Sequence, residues 1–213
     1  MFKLIYKEFS LAAHPTLIIF MFLGLMIIIP SYPYTVVLLF GCLGPFMSFL
    51  YARETNDIFY TVLLPVKKDD VVKGKLLMTI IAQIGQLLIS APIAVYKIVT
   101  NFDLNSIGIE ANVAYYGLSL ISFAIFNLIF FTNFYKTAYK AGQAFLLAII
   151  PSTVVNVAIE AVSHIPATQW LDGISREHLI KQLPVLIVGI IIYAAFMALT
   201  YKISVNRFRR VDL

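Results

Sequence analysis

Long apolar runs alternate with short polar segments along this chain, and the runs are too long for the helices of a soluble fold. Six can be bounded, near Pro15–Pro30, Tyr34–Tyr51, Leu76–Val99, Val113–Phe131, Ala141–Val162 and Leu183–Tyr201. A helix needs roughly 20 residues to cross a hydrocarbon core. The first run reaches that length when extended back to Leu11, and the tight Ser31-Tyr32-Pro33 turn makes the first two runs a hairpin. The first thirteen residues have another pattern. Phe2, Ile5, Phe9 and Ala12 share one helical stripe, with Lys3, Lys7 and Glu8 largely off it. Such a helix lies in the membrane interface. His14-Pro15 then marks the turn into the first span, since proline is tolerated in a first helical turn. The stretch from Arg53 to Lys75 has no spanning length of its own, yet carries Leu63-Leu64-Pro65-Val66 at its middle. It lies at a membrane surface or docks on a partner. The pattern predicts an all-α polytopic membrane protein in one transmembrane domain over 1–213. It has an amphipathic N-terminal helix over 1–13, six transmembrane helices, a surface segment over 53–75 between spans two and three, and a tail over 203–213.

Charge orients the spans. With the N-terminus inside, the inner segments hold Lys3, Lys7, Arg53, Lys67, Lys68, Lys73, Lys75, Lys136, Lys140, Lys202, Arg207, Arg209 and Arg210. The outer segments hold only Lys97, Arg176 and Lys181. Lys and Arg collect on the cytoplasmic side. Both termini are therefore expected in the cytoplasm, and an odd number of spans would break the bias. The composition agrees: 13% of residues are charged and mean hydropathy is +0.89, against roughly 25% charge in a soluble domain. The net charge of +5 belongs to these loops and is a poor reason to expect nucleic acid. Cys42 is the only cysteine, which excludes an intrachain disulfide and a thiolate cluster. No small-residue cleavage site follows the first apolar run, so it is expected to be a retained helix.

The chemistry that would make this chain an enzyme is missing from its sequence. It has no Gly-x-x-x-x-Gly-Lys-Ser/Thr phosphate loop, so any ATP that drives it is bound by another subunit. His14, His164 and His178 are scattered, with no His-Glu-x-x-His pattern; no metal site is expected. Ser10, Ser163 and Ser175 have no triad context, though Ser175 ahead of Arg-Glu-His-Leu-Ile-Lys suits the cap of a short surface helix. Trp170 in the longer outer loop suits an interfacial anchor. Ionisable groups are scarce in the spans, with Lys97 and Glu160 near outer ends, where snorkelling or water contact is easy. Gln83, Gln86, Asn127 and Asn156 are the polar groups nearest mid-span. They either hydrogen-bond between helices or line a pathway. Gly41, Gly44 and Pro45 in span two, and Pro151 and Ser152 in span five, carry the same two readings: packed and bent helices, or a path that moves.

The whole chain resembles the small six-span permeases of the ABC-2 type, a bacterial exporter family that includes the membrane subunits of phenol-soluble-modulin exporters. Leu4-Ile5-Tyr6-Lys7-Glu8 corresponds to the family's opening amphipathic segment. Glu54 ahead of Leu64-Pro65-Val66-Lys67-Lys68, followed by Asp70-Val71-Val72 and Gly74-Lys75, resembles its most recognisable stretch, between spans two and three. Many relatives have Ser before that Leu-Pro and Arg among the next basic positions, where this chain has Leu63 and Lys67-Lys68. The resemblance implies a non-catalytic permease subunit in a bacterial cytoplasmic membrane, paired with a second copy or a related permease. Two cytoplasmic ATPase subunits would bind ATP and Mg; this chain would bind no cofactor. The segment over 53–75 becomes the coupling segment. There Glu54, Asp57, Lys67, Lys68 and Asp70 offer charge complementarity to an ATPase, and Phe59, Leu63, Leu64 and Pro65 offer apolar contact. Lys67, Lys68, Lys73 and Lys75 equally suit lipid phosphate headgroups. The family places the translocation path at a permease–permease interface, which puts Gly41, Gly44, Pro45, Pro151, Ser152 and Asn156 on it. The expected cargo is a hydrophobic or amphipathic, antimicrobial-like peptide. The alternative is a non-transporting scaffold or immunity-type protein that binds peptide or lipid.

Overall fold

A computed structural model describes residues 2–63 and 66–211 of the chain. The regular structure among these residues is helical throughout. The chain opens with α1, Phe2–Lys7, which runs into a π-helical turn over Glu8–Ala12. It then bends by 95° at Ala13-His14. The His14 ring accepts from Thr16 N at 3.3 Å, and Pro15 opens α2, Pro15–Phe22. Side-chain capping and a proline without an N–H together resolve the donors left free at a helix start. Five helices are long and apolar enough to cross a bilayer: α3 (Tyr34–Glu54), α5 (Lys68–Thr100), α6 (Val113–Phe134), α7 (Ala141–Ala161) and α8 (Arg176–Phe208). Between α3 and α5 lies the short α4, Asp57–Leu63.

The first expected span differs from a plain helix. After Phe22 the chain tightens into a 3₁₀ helix over Leu23–Ile28. The segment still runs the length of α3. His14 N donates to Ser48 Oγ at 3.1 Å near one end of α3, and Ser106 N donates to Pro30 O at 3.1 Å beyond the other. The tightened turn has a packing cause. Gly24 sits on the α5 backbone, where a Cβ would overlap the Gln86 carbonyl. Gln86 Nε2 donates to Phe20 O at 3.1 Å and Val37 O at 2.9 Å. A side-chain amide thus serves helix carbonyls where the α-type ladder ends, as an apolar surrounding demands.

The bundle closes around α6. Gly117 of α6 and Gly189 of α8 bring two backbones together: a Cβ on Gly117 would stand 2.6 Å from Val185 O, and one on Gly189 would stand 2.8 Å from the Gly117 carbonyl carbon. Small residues permit this approach where no water drives helices together. The mid-span amides bond between helices. Gln83 and Asn127 exchange two hydrogen bonds at 3.1 and 2.7 Å, and Tyr193 OH donates to Gln83 Oε1 at 3.2 Å. Ser122 Oγ donates to Asn156 Oδ1 at 2.6 Å.

Two expectations fail here. Ser175 caps no short surface helix; its hydroxyl caps the 33-residue α8, so surface turn and sixth span are one rod. Lys97 does not snorkel. It is 2% exposed, and its ammonium donates to Ile27 O at 3.2 Å and to the Tyr34 hydroxyl. The 3₁₀ segment leaves free carbonyls at the end of a span, and Lys97 satisfies one of them.

Both described chain ends lie at the α4 end of the bundle. Lys68 Nζ donates to Val211 O at 2.7 Å, and Arg209 Nε donates to Asp69 Oδ1 at 2.8 Å. Glu8 lies there too, against Lys75 at 3.0 Å. An even number of crossings follows from this arrangement, with Pro15–Ile28 counted as one.

Candidate functional site

The α4 end holds the stretch that the sequence singled out. Thr55 N and Oγ1 both donate to Tyr51 O as α3 ends, at 3.0 Å each. Asn56 then takes a left-handed conformation, φ 53°, and turns the chain into α4. Asparagine tolerates that region better than most residues. Over its two turns α4 is amphipathic. Ile58 and Thr61 are buried, whereas Phe59, Tyr60 and Leu63 are 46%, 62% and 68% exposed. The helix therefore offers an edge of two aromatic rings and a leucine. Leu64 and Pro65 fall outside the described residues.

The inner side of α4 closes an ion cluster. Asp57 Oδ2 meets Lys75 Nζ at 2.8 Å, and Asp57 Oδ1 meets Lys7 Nζ at 2.5 Å. Glu8 Oε2 meets Lys75 Nζ at 3.0 Å, and Glu8 Oε1 meets Lys7 Nζ at 3.1 Å. Each carboxylate gives one oxygen to each ammonium. The result is a closed square of alternating charge, net neutral, joining the N-terminal segment, α4 and α5. Lys7 Nζ also donates to Thr61 Oγ1 at 2.8 Å. Glu8 and Lys75 are 0% and 1% exposed, and the Lys7 edge is more open at 20%. The Lys75 ammonium lies 5.5 Å over the Phe49 ring, which packs edge-on to Phe130, Phe131 and Phe134. Burial pushes the Asp57 carboxyl up, but Lys75 and Lys7 outweigh it and hold the group below its ordinary value. Burial, and then the charges of Glu8 and Asp57, push the Tyr135 phenol well above its ordinary range.

This geometry redistributes the residues expected to offer charge to a partner. Asp57 points into the bundle and is neutralised there. Lys75 is enclosed and cannot reach a headgroup. Glu8 leaves the polar side of the N-terminal helix because the π-turn carries it inward, against Gly74, where a Cβ would lie 3.3 Å from Glu8 Cγ. Glu54 and Lys67 are exposed, as is Lys73. Lys68 is held over the Phe208 ring at 5.5 Å, and Asp70 is half-buried. Arg53 stacks over Tyr139 at 5.6 Å. Sequence reasoning missed the square because paired members lie as much as 67 positions apart, as Glu8 and Lys75 do. One available signal was a lone acid in the amphipathic N-terminal helix and a lysine following a glycine, Gly74-Lys75, at the mouth of span three.

The residues expected on a path are packed within one chain. Gly41 seats the Gln86 amide and the Phe123 ring, and Gly44 faces Leu17. Pro45, Ser152 and Asn156 are buried, and Pro151 is half-buried. Phe46 of α3 stacks on Phe145 of α7 at 4.1 Å, so spans two and five meet within the chain. The outward face of α7 carries Leu147, Ile150, Val154 and Val157 instead.

No curated protein and no solved structure compared with the chain matches it. A family described as ABC-2 family transporter protein matches residues 3–209. That span takes in the N-terminal segment, α4, the ion cluster and all the long apolar helices, and the chain belongs to this ABC-2 transporter family as a membrane-spanning permease component.

Proposed function

We propose that the chain forms the membrane path of an ATP-driven exporter and that α4 receives the stroke of a separate ATPase. The observation that carries this reading is the outward edge Phe59, Tyr60 and Leu63 on a helix whose inner side is tied to two other elements. An apolar edge on a short helix at the basic end of the bundle suits a protein groove. The exposed Glu54, Lys67 and Lys73 around it would steer encounter, while apolar burial would hold the contact. With the basic segments inside, this end faces the cytoplasm, and both termini lie there.

The cargo in this reading is a hydrophobic or amphipathic peptide. Its support is the apolar outward face of α7 and the lack of ionised groups at mid-span among the described residues. A coupling ion would want an intramembrane acid or base. A second permease, identical or related, would complete the path. The path then runs along spans two and five, in which Gly41, Gly44, Pro45, Pro151, Ser152 and Asn156 lie; Gly41 packs on α5 and α6, Gly44 on α2 and Asn156 on α6. The path opens as the helices bend at Pro45 and Pro151.

Co-purification with the cognate ATPase tests the docking edge. Phe59→Ser with Leu63→Ser should release the ATPase and leave membrane insertion intact; full retention places the contact elsewhere. In vesicles holding the complex, amphipathic peptides should stimulate ATP hydrolysis and accumulate on the side opposite the ATPase. Binding without ATP dependence would favour a scaffold that only sequesters them.

A further inference from the structure

The charged square is an unusual way to hold four residues beneath a membrane bundle. Buried ion pairs lose solvation that their mutual attraction scarcely returns, so well-packed apolar residues would often hold as tightly. What the ionic arrangement adds is registry. Four charges of alternating sign close in one relative placement of the three elements that carry them, and any slip brings like charges together. The N-terminal segment contributes Lys7 and Glu8, α4 contributes Asp57, and α5 contributes Lys75. The closed edge is Lys75, 1% exposed, while Lys7 faces the more open side.

We propose that Lys75 is a positioning residue that latches α4 and the N-terminal segment to the start of α5. A push on α4 then moves the interfacial segment and span three with it. Asp57 is the point from which α4 hangs. The turn through Asn56 separates α4 from the end of α3, and Asp57 is the only charged residue of α4. Glu8 and Lys75 form the permanent part of the latch. Gly74 makes room for Glu8 at its foot. The consequence for export rests on the coupling role proposed above. The latch itself is a property of this chain alone, so the two readings fail separately.

The test measures distances by double electron–electron resonance in the full chain, in nanodiscs of phosphatidylcholine and phosphatidylglycerol without ATPase. Spin labels go on the exposed positions Ser10, Tyr60 and Ile81 as cysteines, in pairs; Cys42 is buried and stays unlabelled. Both the 10–81 and 60–81 distributions should be narrow in the parent. Lys75→Met should widen both at least about two-fold, since the three elements lose their common partner. Lys75→Arg should restore narrow distributions, because a guanidinium can also serve two carboxylates. Asp57→Asn should widen 60–81 alone. That selectivity separates a latch from general loosening, which would widen both. If Lys75→Met does not fold, Asp57→Asn with the 10–81 pair as internal reference decides. Parent-like widths in Lys75→Met, or in Asp57→Asn at 60–81, overturn the proposal.

Discussion

At the scale of single residues, Lys75 has the most consequential surroundings. Removing one partner of a buried pair leaves an uncompensated charge and typically costs about 3–5 kcal/mol. Lys75→Met should therefore lower thermal stability in nanodiscs far more than Lys73→Met, whose side chain is exposed. Equal effects would show that the pairing contributes little. Asp57 gives the pH dependence. Its carboxyl is held below its ordinary value of 3.8. A depressed carboxylate contributes stability that is complete above the unfolded pKa and lost as pH falls through the folded one. The Asp57 contacts should hold from neutral pH down through the ordinary carboxylate range, and release α4 only below it. A label at Tyr60 should report constant mobility across the upper range and a rise in the lower. A rise between pH 8 and 6 would contradict the assignment.

At the scale of elements, the crossing of α6 and α8 at Gly117 and Gly189 brings two helix backbones into close contact. Backbone atoms there stand where a side chain would go. Gly117→Val must push the helices apart, and overpacking of this kind costs roughly 1–3 kcal/mol. The loss should appear as a lower unfolding temperature, whereas Gly142→Val should be nearly neutral because nothing lies near its Cβ. Comparable losses at both would argue against the crossing. Glycines were legible in the sequence as marks of close approach, yet Gly41 and Gly44 drew the attention. Periodicity says that a glycine lies in a span, not which neighbour crosses it there. The amides were read more fully. Their bonds to Asn127, Ser122 and helix carbonyls follow from the cost of leaving such groups unpaired in hydrocarbon.

At the scale of the whole molecule, the prediction concerns sidedness. Cysteines at Ile107 and Arg176, both exposed and at the end opposite α4, should react with an impermeant reagent added outside cells. One at Lys67 should not. Labelling of Lys67 from outside would invert the map and with it the end proposed to meet the ATPase. Charge bias supplies the direction, and the meeting of both described chain ends near α4 supplies the even number of crossings.

The sequence by itself determined the class of this protein and the approximate limits of its spans, and it marked out the basic segment between spans two and three. Those properties are local: apolar length, helical stripe and the placement of Lys and Arg are written in consecutive residues. Motif resemblance in that segment likewise reached the family. Tertiary structure decided what a chain position cannot carry. It turned Glu8 and Asp57 inward onto Lys75, left Phe59 and Leu63 outside, tightened the first span over Gly24, and closed spans two and five on each other. Each of these depends on partners tens of positions away, and a buried charge is explained only by the opposite charge that packing brings to it.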